Sequence, residues 1–428
     1  MNLYEARAER TKAFTADRFG MFIHWGLYAI PARGEWVKST EQISEMDYQR
    51  YFDEFNPVYY DPKKWAKLAK ESGMKYAVLT AKHHDGFCLF DSQYTNYKAT
   101  NTKAGRDLIA EYADAFRAEG IKIGFYYSLL DWHHPDYPHY GDWFHPMREN
   151  EAFKNAAHDF DNYISYMHAQ VNELVTNYGK IDIMWFDFSY GDMYGEKWKA
   201  AELVRMIRAH QPNIIIDNRL CGDGMSMKID GLTEISGDFD SPEQIIPSAG
   251  IKDAQGRAIP WEACLTLNEH WGYCMQDKSY KSAKTVIRTL VECVSKGGNM
   301  LLNVGPNAKG EIPKESAAIL REVGEWMHEN ADSIYGSGVA EGFEKPEWGY
   351  YTQKGSTLYA HVFDKVIGGY RFAGLQGKIK SARLVSDGAE LPLDRPWNSE
   401  RFPNDAFIYL NEGDLPDTID TVIALELS

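Results

Sequence analysis

No apolar run in this chain approaches the roughly 18 residues that a membrane span requires, so no stretch reads as a transmembrane helix. Basic charge is also short: 46 Lys and Arg face 62 Asp and Glu, a formal net charge of −16. Proteins that grip nucleic acid displace counterions with a basic face, and no Lys/Arg run supplies one here, so neither nucleic acid nor a bilayer is an expected partner. Cysteines are few and odd in number (Cys88, Cys221, Cys264, Cys274 and Cys293), with no Cys-x-x-Cys pair. That suits free thiols of a reducing compartment better than a disulfide framework. The first ten residues lack the apolar core of a secretory signal, and a cytoplasmic location is expected. No Gly-x-Gly-x-x-Gly follows an apolar run, which argues against a dinucleotide-binding open sheet.

Aromatic side chains, by contrast, are plentiful: 27 Tyr, 20 Phe and 12 Trp accompany the many carboxylates. That combination suits carbohydrate, whose C–H faces stack on rings while its hydroxyls bond to charged groups.

At 428 residues the chain is long enough for one large domain and a smaller one. Its first three quarters repeat one pattern, a helical stripe, a glycine, then a short apolar run. Trp65, Leu68, Ala69 and Ser72 precede Gly73 and Tyr76–Thr80; Leu108, Ile109, Tyr112, Ala113 and Phe116 precede Gly120 and Ile121–Ser128. A helix ending near Tyr178 meets Gly179 and the run Ile181–Phe188. Leu203, Val204 and Ile207 lead through Gln211-Pro212 to Ile214–Ile216, and Val286, Ile287, Leu290, Val291 and Val294 lead through Gly297-Gly298 to Met300–Leu302. Spacing of three to four residues marks one helix face, and runs without polar alternation suit parallel strands buried on both sides. With Phe19–Ile23 and weaker candidates at Thr233–Ile235 and Ala263–Thr266, about eight strand–helix units emerge. They predict a (β/α)8-like TIM barrel over residues 1–335. From 336 to 428 the pattern changes. Leu358–Val362, Lys378–Leu384, Phe407–Leu410 and Val422–Leu427 are short, partly alternating runs separated by turn residues, which predict a C-terminal antiparallel β-sandwich.

Several strands end in chemically capable residues, and a barrel gathers such ends at one mouth. They are His24, the pair His83-His84, Tyr126-Tyr127-Ser128, Asp187 and Arg219. Asp187 closes an otherwise apolar run, where an unpaired carboxylate is costly to bury, and Trp185 faces the same side of that strand. This makes Asp187 a candidate nucleophile. Cleavage of a glycosidic bond needs a second carboxyl group. Glu243, in a loop behind Pro242, and Glu262, beside Trp261 at the start of an apolar run, are equal candidates on chemistry alone. A metal-dependent hydrolase built on His24, His83, His84 and Asp187 is the rival reading, and a catalytically inactive sugar-binding protein is another.

Taken together, these motifs resemble glycoside hydrolase family 29, the retaining α-L-fucosidases. The resemblance rests on Phe22-Ile23-His24-Trp25-Gly26, Gly34-Glu35-Trp36, Lys82-His83-His84-Asp85-Gly86-Phe87, Phe125-Tyr126-Tyr127-Ser128 and Trp185-Phe186-Asp187. It continues through Asp217-Asn218-Arg219, Trp261-Glu262-Ala263-Cys264 with Trp271-Gly272-Tyr273, and Gly298-Asn299-Met300-Leu301-Leu302-Asn303-Val304-Gly305-Pro306. It implies an irregular (β/α) barrel with a C-terminal β-sandwich, Asp187 as nucleophile and Glu243, in preference to Glu262, as acid/base. It assigns fucose binding to His24, Glu35, Trp36, His83, His84, Trp185, Arg219 and Tyr126 rather than Tyr127. It implies a fucosylated oligosaccharide as substrate and no metal or organic cofactor, and it is compatible with a homo-oligomer. The loop from Trp132 to Trp143, with four aromatic residues and three histidines, is the candidate for contacts with the leaving group.

Overall fold

The computed structural model describes residues 2–224, 231–397, 399–410 and 415–428. Seven strands form a wholly parallel sheet: β1 (Phe19–Ile23), β2 (Tyr76–Lys82), β3 (Lys122–Ser128), β4 (Ile183–Asp187), β5 (Ile215–Ile216), β6 (Glu262–Thr266) and β7 (Asn299–Val304). Their spatial order is β5-β4-β3-β2-β1-β7-β6. The edge strands β5 and β6 are joined by a two-residue ladder. Phe239 pairs with Asp217 just beyond β5, and Asp240 pairs with Trp261 just before β6, both in parallel. The sheet therefore curls into a barrel in which residues 239–240 stand where an eighth strand would run.

The sequence expects that strand at Thr233–Ile235, but those residues form a turn. The Ser236 hydroxyl accepts from Thr233 N–H at 2.9 Å, and Ser236 N–H donates to Thr233 C=O at 3.4 Å. Hydroxyl side chains satisfy the backbone locally and remove its need for a ladder. Ala263–Thr266 does lie in a strand, β6.

The strands lack polar alternation because both faces are buried. Phe22, Val78, Tyr126, Ile183, Trp185, Ile215, Phe239, Cys264 and Leu301 fill the barrel interior together. Their neighbours Met21, Ile23, Ala77, Leu79, Phe125, Met184 and Phe186 pack outward with the apolar stripes of the surrounding helices. This is the period of two expected along a strand. The four predicted stripes lie in helices Pro62–Glu71, Leu108–Ala118, Ala200–His210 and Ala283–Ser295, and the helix expected to end near Tyr178 is Phe160–Asn177. Ser72 caps the first of these rather than belonging to it. Phe14, from the helix Leu3–Asp17, enters the interior cluster, its ring 4.8 Å from Phe239 and 5.4 Å from Tyr76.

Beyond the helix Lys314–Asn330 the chain builds two antiparallel sheets. One is four-stranded, from β8 (Gly349–Lys354), β9 (Thr357–Val362), β11 (Ile379–Leu384) and β14 (Thr421–Leu427). The other joins β10 (Tyr370–Phe372), β12 (Leu393–Asp394) and β13 (Ala406–Ile408). Leu358, Ala360, Val362, Ile423 and Leu425 face the second sheet's Tyr370, Phe372 and Ile408 in a separate core. The alternate residues Tyr359, Val422 and Ala424 join the core on the barrel side.

Candidate active site

The C-terminal ends of the strands open on one pocket with about 50 Å³ of free volume, small for a ligand site. Its wall holds His24, Glu35, Trp36, His83, His84, Tyr126, Trp185, Asp187, Arg219 and Glu243. Of the candidate catalytic and fucose-binding residues, all but Glu262 are thus brought together, while Tyr127, Ser128 and the loop from Trp132 to Trp143 lie outside the pocket wall. A larger groove on the outer wall, beside helices Pro62–Glu71 and Leu108–Ala118, holds none of these residues.

Asp187 ends β4 with its side chain turned inward, in register with Trp185 and Ile183. Its two oxygens are engaged separately. Oδ2 accepts from the Tyr126 hydroxyl at 2.7 Å, and Oδ1 accepts from Arg219 Nη1 at 2.7 Å. Burial, followed by the charge of Asp187, pushes the Tyr126 phenol well above its ordinary pKa, so it remains a donor. Tyr127, one residue on, points out of the barrel and donates to Gln170 at 2.7 Å. The strand pleat therefore separates the two tyrosines that the sequence presents side by side.

Arg219 organises the acid groups. Its Nε and Nη2 donate to Ser241 Oγ and Ser241 C=O at 3.0 and 3.1 Å, which fixes the plane of the guanidinium. Nη1 then contacts both Asp187 Oδ1, at 2.7 Å, and Glu243 Oε2, at 3.0 Å. The two contacting oxygens can be no farther apart than those distances laid end to end, about 5.7 Å. The guanidinium also lies 4.5 Å over the Trp185 ring, and Tyr126 stacks on that ring at 5.8 Å. The resemblance assigns Trp185 to fucose binding; in the structure Arg219 and Tyr126 take up much of that ring.

Glu243 reaches the site from a segment laid along β6. Cys264 N–H donates to Pro242 C=O and Gln244 N–H to Cys264 C=O, each at 3.0 Å. Its side chain is 41% exposed, at the mouth. Glu262 is the opposite case. It faces inward near the base of β6, fully buried, with one oxygen accepting from Tyr76 and the other from Trp185 Nε1 at 3.3 Å. Burial pushes its carboxyl up to about 7, against the pull of those two hydrogen bonds. It lies behind Trp185 and does not line the pocket.

Three histidines line one wall. His24 Nδ1 sits 2.7 Å from Asn303 Oδ1, and His84 Nδ1 2.6 Å from Ser128 Oγ. Burial pushes His24 down to about 3, and His83 and His84 also lie well below the ordinary imidazole value, burial again being the largest cause. All three are neutral near pH 7. Glu35 is buried with Oε2 accepting from Gly272 N–H at 2.8 Å. Trp36 packs its ring against His84, Trp132 and Phe188 at 5.0 to 5.3 Å.

Sequence reasoning missed Phe22, Phe188, Cys264 and Trp271 as wall residues. Trp271 carried a signal, since it opens the Trp-Gly-Tyr motif whose glycine binds Glu35. Phe188 carried none. It has a φ of +85°, rare for a bulky residue, and this turns the chain so that its ring packs 5.0 Å from His84. Among the described residues no three His, Cys, Asp or Glu side chains are grouped as a metal site.

A family model described as Alpha-L-fucosidase matches residues 3–332. The structure is similar to that of alpha-L-fucosidase isoenzyme 1 from Paenibacillus thiaminolyticus, with 62% identity and a TM-score of 0.96, covering 99% of this chain and 100% of that one. It is also similar to a GH29 alpha-L-fucosidase from Bacteroides thetaiotaomicron, solved as a trapped covalent intermediate with 2-fluoro-fucosyl fluoride. There the identity is 31% and the TM-score 0.84, covering 98% of this chain and 96% of that one. Among curated proteins, the human plasma alpha-L-fucosidase is 29% identical over 347 residues, 75% of this chain and 68% of that protein.

Proposed function

Because this chain belongs to the alpha-L-fucosidase family, glycoside hydrolase family 29, we propose that it removes terminal α-L-fucosyl residues by double displacement, with Asp187 as nucleophile and Glu243 as acid/base. One observation carries the assignment: a single guanidinium nitrogen touches both carboxylates, whose contacting oxygens are at most about 5.7 Å apart. Retaining glycosidases hold their carboxyl pair about 5–5.5 Å apart, and inverting ones need about 6.5–9.5 Å to admit a water.

In the first step Asp187 attacks the anomeric carbon, while Glu243, protonated, gives its proton to the departing oxygen. The bond from carbon to the aglycone breaks as the bond to Asp187 forms. In the second step Glu243 takes a proton from water, which attacks the same carbon and releases Asp187. Tyr126 and Arg219 hold Asp187 by one oxygen each, which fixes its direction of attack. A trapped covalent intermediate in the Bacteroides relative supports the same sequence of steps.

The small pocket suits one terminal sugar, and the leaving group then lies over the mouth. There Phe144 links Trp36, at 5.7 Å, to Tyr190, at 5.1 Å, and the Trp143 ring is 65% exposed beside them. Within the loop from Trp132 to Trp143 we therefore assign leaving-group contact to Trp143, while Trp132 and Tyr137 are buried as packing. Five unpaired thiols support a reducing, cytoplasmic setting. The mechanism is tested by proton NMR of the first product released from an aryl α-L-fucoside. The α anomer of L-fucose is expected before mutarotation; initial β anomer would overturn it.

A further inference from the structure

Two motif residues without a role so far, Ser128 and Asn303, stand directly behind His24 and His84. Asn303 Nδ2 donates to the Trp271 carbonyl at 2.7 Å, which fixes the orientation of its amide. Its Oδ1 therefore faces His24 Nδ1, and an amide oxygen can only accept. Nδ1 of His24 must carry the proton, which leaves Nε2 of the neutral ring with a lone pair. Ser128 repeats the device. Its hydroxyl donates to Leu130 C=O at 2.9 Å, so its oxygen is left to accept from His84 Nδ1. Neither Nε2 has a hydrogen-bond partner among the described residues; that of His84 lies 3.9 Å from Asp187 Oδ2. Both rings line the pocket.

We propose that Asn303 and Ser128 are positioning residues that lock His24 and His84 in the tautomer whose Nε2 accepts, so that the pocket selects substrate hydroxyls that donate. A sugar hydroxyl satisfies such a wall, whereas an analogue lacking it leaves a buried lone pair without a partner. The inference rests on the assignment of His24 and His84 to substrate binding.

A carboxylate in place of the amide supplies the test. The groups facing His24 are Glu35 from the loop after β1, His83 and His84 after β2, Tyr126 on β3 and Arg219 after β5; His84 also faces Asp187 and Lys82. Asn303→Asp keeps the side-chain shape and sets a negative charge beside His24 Nδ1–H, which favours the imidazolium; it also gives up the bond to the Trp271 carbonyl, a loss that does not vary with pH. As the pH falls, His24 then gains a proton on Nε2 earlier than in wild type and cannot accept. The expected result for an aryl α-L-fucoside is a ratio of variant to wild-type KM that rises about tenfold from about pH 8 to about pH 5, the effect of one hydrogen bond, with kcat changing far less. Ser128→Ala should raise KM by a similar factor at every pH. A KM ratio for Asn303→Asp that does not vary with pH would mean general loosening and overturns the proposal. So does a His24→Ala enzyme with wild-type KM, which would remove the site assignment beneath it.

Discussion

Glu243 and Glu262 are both glutamates close to β6, yet water reaches only one of them. A carboxyl held near 7 is what a general acid wants, so the shift at Glu262 would by itself favour it. Geometry decides the other way, since Tyr76 and Trp185 occupy its oxygens behind the pocket floor. Its shift matters to stability instead. The fold binds this proton more tightly than the unfolded chain does, so stability falls as pH rises from the ordinary 4.5 to about 7, and is level above. That window is worth about 3 kcal/mol. Glu262→Gln should flatten it in urea titrations at about pH 5 and pH 8 while turnover persists; equal pH dependence in both proteins would refute the assignment. On chemistry alone the sequence left the two glutamates equal and only the family resemblance favoured Glu243, because which face of β6 a residue occupies and what lies above it are tertiary facts.

The element that makes this barrel irregular is the ladder between β5 and β6. It passes so close to β5 that a Cβ on Gly237, whose φ is +82°, would lie 2.4 Å from the Asp217 carbonyl oxygen. Gly237→Ala should cost on the order of 1–3 kcal/mol and, by shifting Ser241 and Glu243 downstream, lower kcat/KM; a variant of wild-type midpoint and activity would show the ladder to be slack. The helical stripes and the apolar strands were legible because their periodicity is local. The ladder was not, since two paired residues leave no period, and Ile235 offered an apolar decoy inside a hydroxyl-capped turn. Phe188 was hidden for a related reason: nothing in its identity announces a positive φ.

Across the whole molecule, the β-sandwich is fastened to the barrel by a polar cluster as well as by apolar packing. His361, wholly buried, lies 2.7 Å from Asp420 and 3.1 Å from Thr352, whose hydroxyl donates to Ser333 C=O at 2.8 Å. Arg288 and Trp326, on barrel helices, donate to the Ile419 and Asp420 carbonyls at 2.9 and 3.2 Å. Removing His361 leaves the buried Asp420 oxygen without its hydrogen-bond partner, at about 1–3 kcal/mol. His361→Ala should therefore lower the unfolding midpoint markedly with kcat little changed at low temperature; an unchanged midpoint would show that packing alone holds the halves together. That two-sided burial also explains why the C-terminal strands alternate only in part. At this scale the convergence of strand ends was the most legible feature of the sequence: His24, His83, His84, Tyr126, Asp187 and Arg219 all line the pocket, whereas Glu35 and Trp36, on the loop after β1, entered only through the family resemblance. Attack on the sugar by Asp187 is tested most directly by Asp187→Gly, assayed on an aryl α-L-fucoside with and without azide. Turnover should fall by several orders of magnitude and be partly restored by azide, with β-L-fucosyl azide as product. Near-normal turnover without azide would contradict it.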